Sequence, residues 1–266
     1  MKENKSINFA ILMYHRICQY DTNDKYSVSA NDFEKQIAYL HNNGFRTIIP
    51  EDIHTLSGSG NNKFIMITFD DGLESDYAAA YPILKKYGFK GACFVTTGFI
   101  GSGGYMNWEQ VRKLKEESFS IQSHTQSHRF LEDLAESQVR DELNKSRAII
   151  RDKIASNPAY FSCPGGRFNK RVIEIAKDLG YKGMFTSIPG YGNSKINNFS
   201  IFKRNIVTAN ISLKDYIEIL NFNKQKIIGR KVNYYFKLFL KKIIGNKIYY
   251  FIWANIIKNN SVKYEK

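Results

Sequence analysis

A chain of 266 residues, 43% hydrophobic and 24% charged, is long enough to bury one sizeable α/β core, and its composition excludes collagen-like and low-complexity architectures. The formal charge of +14 is lopsided, because residues 221–266 hold eleven Lys or Arg against Glu265 alone and so account for +10 of it. Three cysteines (Cys18, Cys93 and Cys163), far apart and in no CxxC pair, argue against a disulfide framework or a thiolate metal site and fit a reducing compartment.

The N-terminal string MKENKSINFAILMYHRI has a charged start but only a short apolar run. It reads as a buried first strand over residues 9–14, not as a signal peptide, and the expected location is cytoplasmic. No stretch approaches the roughly 20 apolar residues of a membrane-spanning helix. Further short β-branched and aromatic runs predict strands over 45–49, 64–69, 91–96, 119–122, 160–162, 183–186 and 205–208. Between them, helical periodicity predicts helices over 31–43, 75–87, 108–117, 131–155 and 169–179, several closed by Gly. Pro82 lies inside the second and is expected to kink or delay it. Repeated strand–helix units whose polar residues fall at strand C-terminal ends predict a distorted (β/α) barrel of about seven strands over residues 1–220, followed by a basic helical extension over 221–266. Two loops stand out: the Gly- and Asn-rich 57–62, and 98–104, a candidate rim of a groove.

Three strings carry chemistry. ITFDDG places Asp70 and Asp71 side by side at a strand end, where a cation between or beside them is an economical explanation, although the dipeptide alone reads more simply as a solvated turn or helix cap. SHTQSH, residues 123–128, spaces His124 and His128 so that they can share one side of a helical turn and act as imidazole ligands. A structural pair is about as good a reading until it is combined with the carboxylates. Three of the five histidines (His15, His124 and His128) sit at or just beyond predicted strand ends. Two histidines and one carboxylate leave coordination positions open for water and substrate, as a catalytic metal requires. The third string, FSCPGGR, ends a strand in a Pro-Gly-Gly turn that allows close backbone approach to a ligand, or serves as an ordinary βα turn.

TFDDG, SHTQSH and FSCPGG together, in this order and approximate spacing, resemble the polysaccharide deacetylases, the NodB-like group of carbohydrate esterase family 4, over roughly residues 7–219. The resemblance implies a metal-dependent deacetylase with Asp70 as catalytic base, Asp71, His124 and His128 as metal ligands, and the third motif along one wall of the groove. The family usually supplies its catalytic acid from a late histidine, and here none follows His128. LMYHRI resembles the N-terminal YH element of a circularly permuted branch that includes poly-N-acetylglucosamine deacetylases, which implies His15 as the acid. By the same similarity Tyr14, Pro164, Gly165 and Gly166 are the expected substrate-contacting positions. The Arg that many relatives carry ahead of the third motif is absent, and Arg204, at the start of a late strand, is a candidate replacement. His41 and His54 fall on helices or their flanks and are expected to be bystanders.

The implied cofactor is a divalent metal, with zinc the default and cobalt, nickel or iron also suited to this donor set. The implied partner is an N-acetylated saccharide of a cell-surface glycan or a lipid-linked glycan precursor. The tail mixes Lys with Ile, Phe, Tyr and Trp253, a pattern that suits either peripheral attachment to the inner face of an anionic membrane or packing on the barrel with Lys turned outward. No nucleic-acid-binding module is recognisable. The competing functions are a hydrolase of a non-sugar amide and a glycan-binding or membrane-bound scaffold whose site has lapsed.

Overall fold

The computed structural model describes residues 9–19, 24–55, 63–196 and 198–244. In chain order they form β1 (Ala10–Tyr14), β2 (Arg16–Cys18), β3 (Ser27–Ser29), α1 (Ala30–Asn42), β4 (Phe45–Thr47), β5 (Lys63–Asp71), α2 (Tyr81–Lys86), β6 (Ala92–Val95), α3 (Trp108–Glu116), β7 (Ser120–Ser123), α4 (Glu136–Ile154), β8 (Tyr160–Ser162), α5 (Lys170–Asp178), β9 (Gly183–Phe185), β10 (Asn193–Ile196), β11 (Phe199–Phe202), β12 (Asn205–Ile206), α6 (Leu213–Leu220) and α7 (Lys224–Ile244). The chain divides into two compact units, residues 1–222 and 223–266. Within the second, α7 is the described element. The loop expected at 57–62 and the tail beyond 244, including Trp253, lie outside the described residues.

One ten-stranded sheet organises the first unit, in the order β10-β11-β9-β8-β7-β6-β5-β1-β12, with β4 paired to β5. All pairs are parallel except β10–β11. β4 borders Lys63–Ile65 and β6 borders Thr68–Asp71, so the two share one edge of β5 while β1 takes the other. Side chains from well-separated strands meet in one cluster: Ile11, Met66, Phe94, Tyr160, Phe185 and Phe202. Ring centroids there lie 4.6 Å (Phe185–Phe202) and 4.8 Å (Phe94–Phe185) apart. Residues so far apart along the sheet touch only because it curls on itself, giving a half-barrel with this face inside. The alternate residues Leu12, Tyr14, Ile65, Ile67 and Phe69 form the outer core with Phe33, Ile37 and Leu40 of α1.

The helices start where side-chain caps are available. Ser29, Asn107, Asn169 and Ser212 each accept a backbone N–H from the first turn of α1, α3, α5 and α6 respectively. The helix expected over 75–87 is broken: residues Asp76–Ala80 form a π turn before α2. Pro82 has no N–H, and the Tyr81 N–H reaches back to Asp76 O, five residues earlier. The helix expected from 131 begins instead at Glu136, because Leu131–Asp133 form a separate 3-10 turn pinned by Arg167 to Glu132 and Asp133. All three cysteines are free, and no described helix is long and apolar enough to cross a membrane.

Candidate active site

Above the aromatic floor of the half-barrel lies a polar layer built around Arg204, whose residue is 0% exposed. Its guanidinium lies 5.4 Å from the Phe94 ring centroid, and its Nε donates to Thr186 O at 3.0 Å. Two parallel bonds of 2.7 Å run from Nη1 and Nη2 to the two oxygens of Asp70. Ser162 Oγ accepts from Nη2 at 2.7 Å and donates to Asp70 Oδ2 at 3.0 Å. Asp70 reaches this position because alternation along β5 turns Met66, Thr68 and Asp70 inward. Burial alone would push its carboxyl up, but the bidentate Arg204 and the neighbouring histidines outweigh it and hold Asp70 below the usual carboxylate range.

Asp71 ends the same strand with φ +78°, a left-handed conformation that carries its side chain away from the barrel interior toward the mouth. Its Oδ1 lies 3.4 Å from His124 Nε2 and 3.3 Å from His128 Nε2. Burial opposes the Asp71 charge, yet the two imidazoles facing it hold the carboxyl far below its ordinary range. His124 Nδ1 meets Ser162 O at 2.9 Å, which fixes the ring and directs Nε2 at Asp71. For His124, burial disfavours the imidazolium, but Asp70, Asp71 and the Ser162 carbonyl together raise its pKa. The two histidines do not share a helical face as their spacing suggested. Residues 124–128 form an irregular turn in which Thr125 (φ +67°) and His128 (φ +58°) are left-handed, and this brings the rings to 4.9 Å.

That turn is held from behind. Glu142 on α4 accepts the N–H groups of Gln126 and Ser127, each at 2.9 Å, and the Ser127 hydroxyl. Gly98, in the predicted rim loop, donates its N–H to Gln126 O at 2.8 Å. A Cβ there would stand 2.5 Å from that oxygen, so only glycine allows the approach. Met106 N–H donates to Gly72 O, which ties the far side of the same loop to the Asp-Asp-Gly turn.

The three donor atoms of Asp71, His124 and His128 lie within 4.8 Å of one another, and Asp71 Oδ1 is buried without a well-formed hydrogen bond among the described residues. Nitrogen and oxygen ligands bound tetrahedrally at about 2.0–2.2 Å stand roughly 3.3–3.6 Å apart. The observed 3.3 and 3.4 Å fit that spacing. The residues present therefore suit a divalent cation of the zinc class. Glu142→Ala, which frees the turn behind His128, is expected to weaken zinc affinity by about 10- to 100-fold in a chelator competition, with native circular dichroism retained. An unchanged affinity would show that the turn holds itself.

His15 follows β1 and sits at the mouth, partly exposed but with Nδ1 buried and unpaired among the described residues. Burial lowers its pKa, and the nearby Asp70 and Asp71 offset only part of that. Tyr14, expected to touch substrate, does not: it is fully buried, donates its hydroxyl to Gln36 Oε1 at 2.7 Å and packs on Phe33 and Phe69. The strand period sends adjacent residues to opposite faces, so Tyr14 belongs to the outer core and His15 to the mouth. In the third motif Pro164 and Gly166 are buried, and only Gly165 is exposed. Gly166 N–H donates to Cys163 O and Arg167 N–H to Pro164 O, which leaves the Gly165 amide outside the turn's own bonds. His41 lies on α1 against Tyr87 and Phe89, and His54 ends the turn Pro50–His54.

Ser162 and Glu142 were not read from the sequence as site residues. Glu142 left a signal, since it falls on the helical stripe Val139, Leu143, Ser146 and Ile150 that α4 buries, where an acid needs a partner. Asp76 is a further buried acid near the site. Burial, then repulsion from Asp71 and Asp70, pushes its carboxyl well above the usual range.

Comparison with known proteins points to one family. The family profile described as "Polysaccharide deacetylase" matches residues 57–184. A Bacillus subtilis protein named as a polysaccharide deacetylase, YxkH, is 32% identical over 193 residues, covering 71% of this chain and 68% of that one. Poly-beta-1,6-N-acetyl-D-glucosamine N-deacetylase of Staphylococcus aureus is 29% identical over 177 residues, and the match spans 60% of this chain and only 61% of the relative. Among solved structures, the Streptococcus pyogenes deacetylase PplD in complex with acetate superposes with a TM-score of 0.74 at 27% identity, covering 81% of this chain and 99% of that one. IcaB from Ammonifex degensii shares the fold, with a TM-score of 0.67 at 23% identity, over 81% of this chain and 96% of its own. With the sequence match extending over two thirds of YxkH and the parallel half-barrel common to the solved deacetylases, the chain belongs to the polysaccharide deacetylase family, hydrolases acting on amide bonds.

Proposed function

We propose that this chain removes the N-acetyl group from an amino sugar of a cell-surface glycan or its lipid-linked precursor, releasing acetate, with a divalent metal held by Asp71, His124 and His128. The observation that carries the reading is the placement of Asp70: a carboxylate held ionised by Arg204 and the neighbouring histidines and hydrogen-bonded by Ser162, immediately beside a three-donor cluster at the mouth of the half-barrel. A glycan-binding scaffold needs no such base. The staphylococcal relative's name supports a β-linked N-acetylglucosamine polymer as the substrate class.

When bound, the metal supplies electrophilic polarisation of the acetyl carbonyl and lowers the pKa of a coordinated water; zinc, cobalt, nickel and iron all suit the donors. Asp70 takes the proton of the attacking water, whose oxygen adds to the acetyl carbon. Arg204 keeps Asp70 oriented and charged. The exposed Gly165 N–H is available to the developing oxyanion. His15 protonates the amide nitrogen as the carbon–nitrogen bond breaks, leaving acetate and a free amine. Burial lowers the His15 pKa, which makes the imidazolium a stronger acid but a smaller fraction near neutral pH, so the rate should fall as pH rises through that lowered value.

The test pairs metal analysis with acetate release from N-acetylglucosamine oligomers. The wild-type chain is expected to hold about one metal per chain. His124→Ala is expected to lose both metal and turnover, whereas His15→Phe keeps the metal and loses about 100-fold in kcat or more. A chain that binds none of zinc, cobalt, nickel or iron on reconstitution would overturn the reading.

A further inference from the structure

In the second unit, α7 is the described helix with an uncovered apolar face. Eight large hydrophobic side chains are exposed among the described residues, and six of them lie here: Ile228, Val232, Tyr235, Phe236, Phe239 and Ile243, between 54% and 64% exposed. At about 100° per residue they fall within an arc of about 100°, so they form one stripe and not a scatter. A stripe of this size amounts to several hundred Å² of apolar surface, enough to mark a binding face.

Charge identifies what the stripe would meet. Residues 224–244 contain seven Lys or Arg and no acid. By helical register Lys224 and Lys231 border one edge of the stripe. A second copy of the helix packed on this stripe would meet the like-charged edge of Lys224 and Lys231, and the helix carries no carboxylate to face them. A lipid surface rich in phosphate supplies the opposite charge and receives the aromatic and aliphatic stripe at once. The helix is not apolar enough to span a membrane, so lying in the interface is the geometry open to it.

We propose that α7 docks the protein on an anionic phospholipid surface, with Phe236 and Phe239 entering the headgroup–acyl boundary and Lys224 and Lys231, at the edge of the stripe, facing lipid phosphate. This inference does not depend on the metal or on the deacetylase reading.

The full-length chain would be floated with vesicles of phosphatidylcholine alone and with about one-third phosphatidylglycerol. Binding is expected only to the anionic vesicles and is expected to fall steeply in about 0.5 M salt. Phe236→Glu with Phe239→Glu should reduce partition at least about tenfold while leaving acetate release from a soluble oligosaccharide unchanged. Lys224→Gln and Lys231→Gln should each weaken partition by about fivefold. Equal partition onto neutral vesicles, or none onto anionic ones, would overturn the proposal. So would a dimer in sedimentation velocity that the two Phe substitutions convert to monomer, since the face would then be an interface between copies.

Discussion

Asp70→Asn is expected to lower acetate release by about 100- to 10,000-fold while metal content stays at the wild-type level. The substitution keeps the size and plane of the side chain, so the three donors of Asp71, His124 and His128 keep their places. What it removes is the proton acceptor. It also disturbs the layer beneath: Arg204 donates to both oxygens of Asp70, and an amide offers one oxygen and one NH2 group. One guanidinium N–H then faces another donor, and a buried cation loses its counter-charge. The activity loss must therefore be read beside metal analysis and a melting curve, and the catalytic role stands only if turnover falls in chains that are folded and metal-loaded. Ser162→Ala is the milder comparison, because it leaves the carboxylate and the Arg204 pair intact. Near wild-type turnover in Asp70→Asn would sink the assignment of the base.

How much of this was legible beforehand depends on whether a residue's role lies in its own string or in contacts made across the fold. Most of the eight predicted strands are present because each is a run buried on both faces, as in AILMY of β1 and ACFV of β6; β4 (FRT) and the two-residue β12 are only partly buried. β2 and β3, which pair only with each other, escaped because each is three residues long, and β10 because NSKI is polar; β11 went unread although FSIF is apolar and buried. The helix α6 also went unread, although Ser212 caps it. In the site, Asp70, Asp71, His124 and His128 were readable because they sit in contiguous strings at strand ends. The reason His124 and His128 meet was misread, since the turn owes its shape to left-handed residues and to Glu142, 14 residues further on. Tyr14 was expected in the site from the resemblance of LMYHRI to a YH element, and the period of two along β1 was enough to place it outside. Arg204 could be suggested only as a replacement, because a separation of 134 positions from Asp70 leaves no local pattern.

Arg204→Met should be among the most damaging single changes to this protein, and its effect should depend on pH in a particular direction. Methionine fills much of the same volume over Phe94 but leaves Asp70 buried without its bidentate partner. Removing one member of a buried pair costs about 3–5 kcal/mol, which for a chain of this size lowers Tm by about 10 °C. In the wild type the Asp70 pKa is depressed on folding, so the pair's contribution is fully present above the ordinary carboxylate range and is lost as pH falls through the depressed value. Without Arg204 the desolvation that now opposes the charge is no longer outweighed to the same extent, and the pKa rises. The folded variant then bears the cost of an unpaired buried carboxylate at neutral pH and is relieved of it on acidification, when Asp70 is protonated. The Tm gap between variant and wild type should accordingly narrow as pH is lowered from neutrality. The acid limb of the rate profile should move the other way, toward higher pH, because a base that protonates more readily is lost sooner. Arg204→Lys, which restores charge without the two-pronged geometry, should recover part of the stability and less of the rate. A Tm gap constant across pH, together with an unmoved acid limb, would show that Arg204 supports the barrel by packing alone and leaves the charge of Asp70 to other groups.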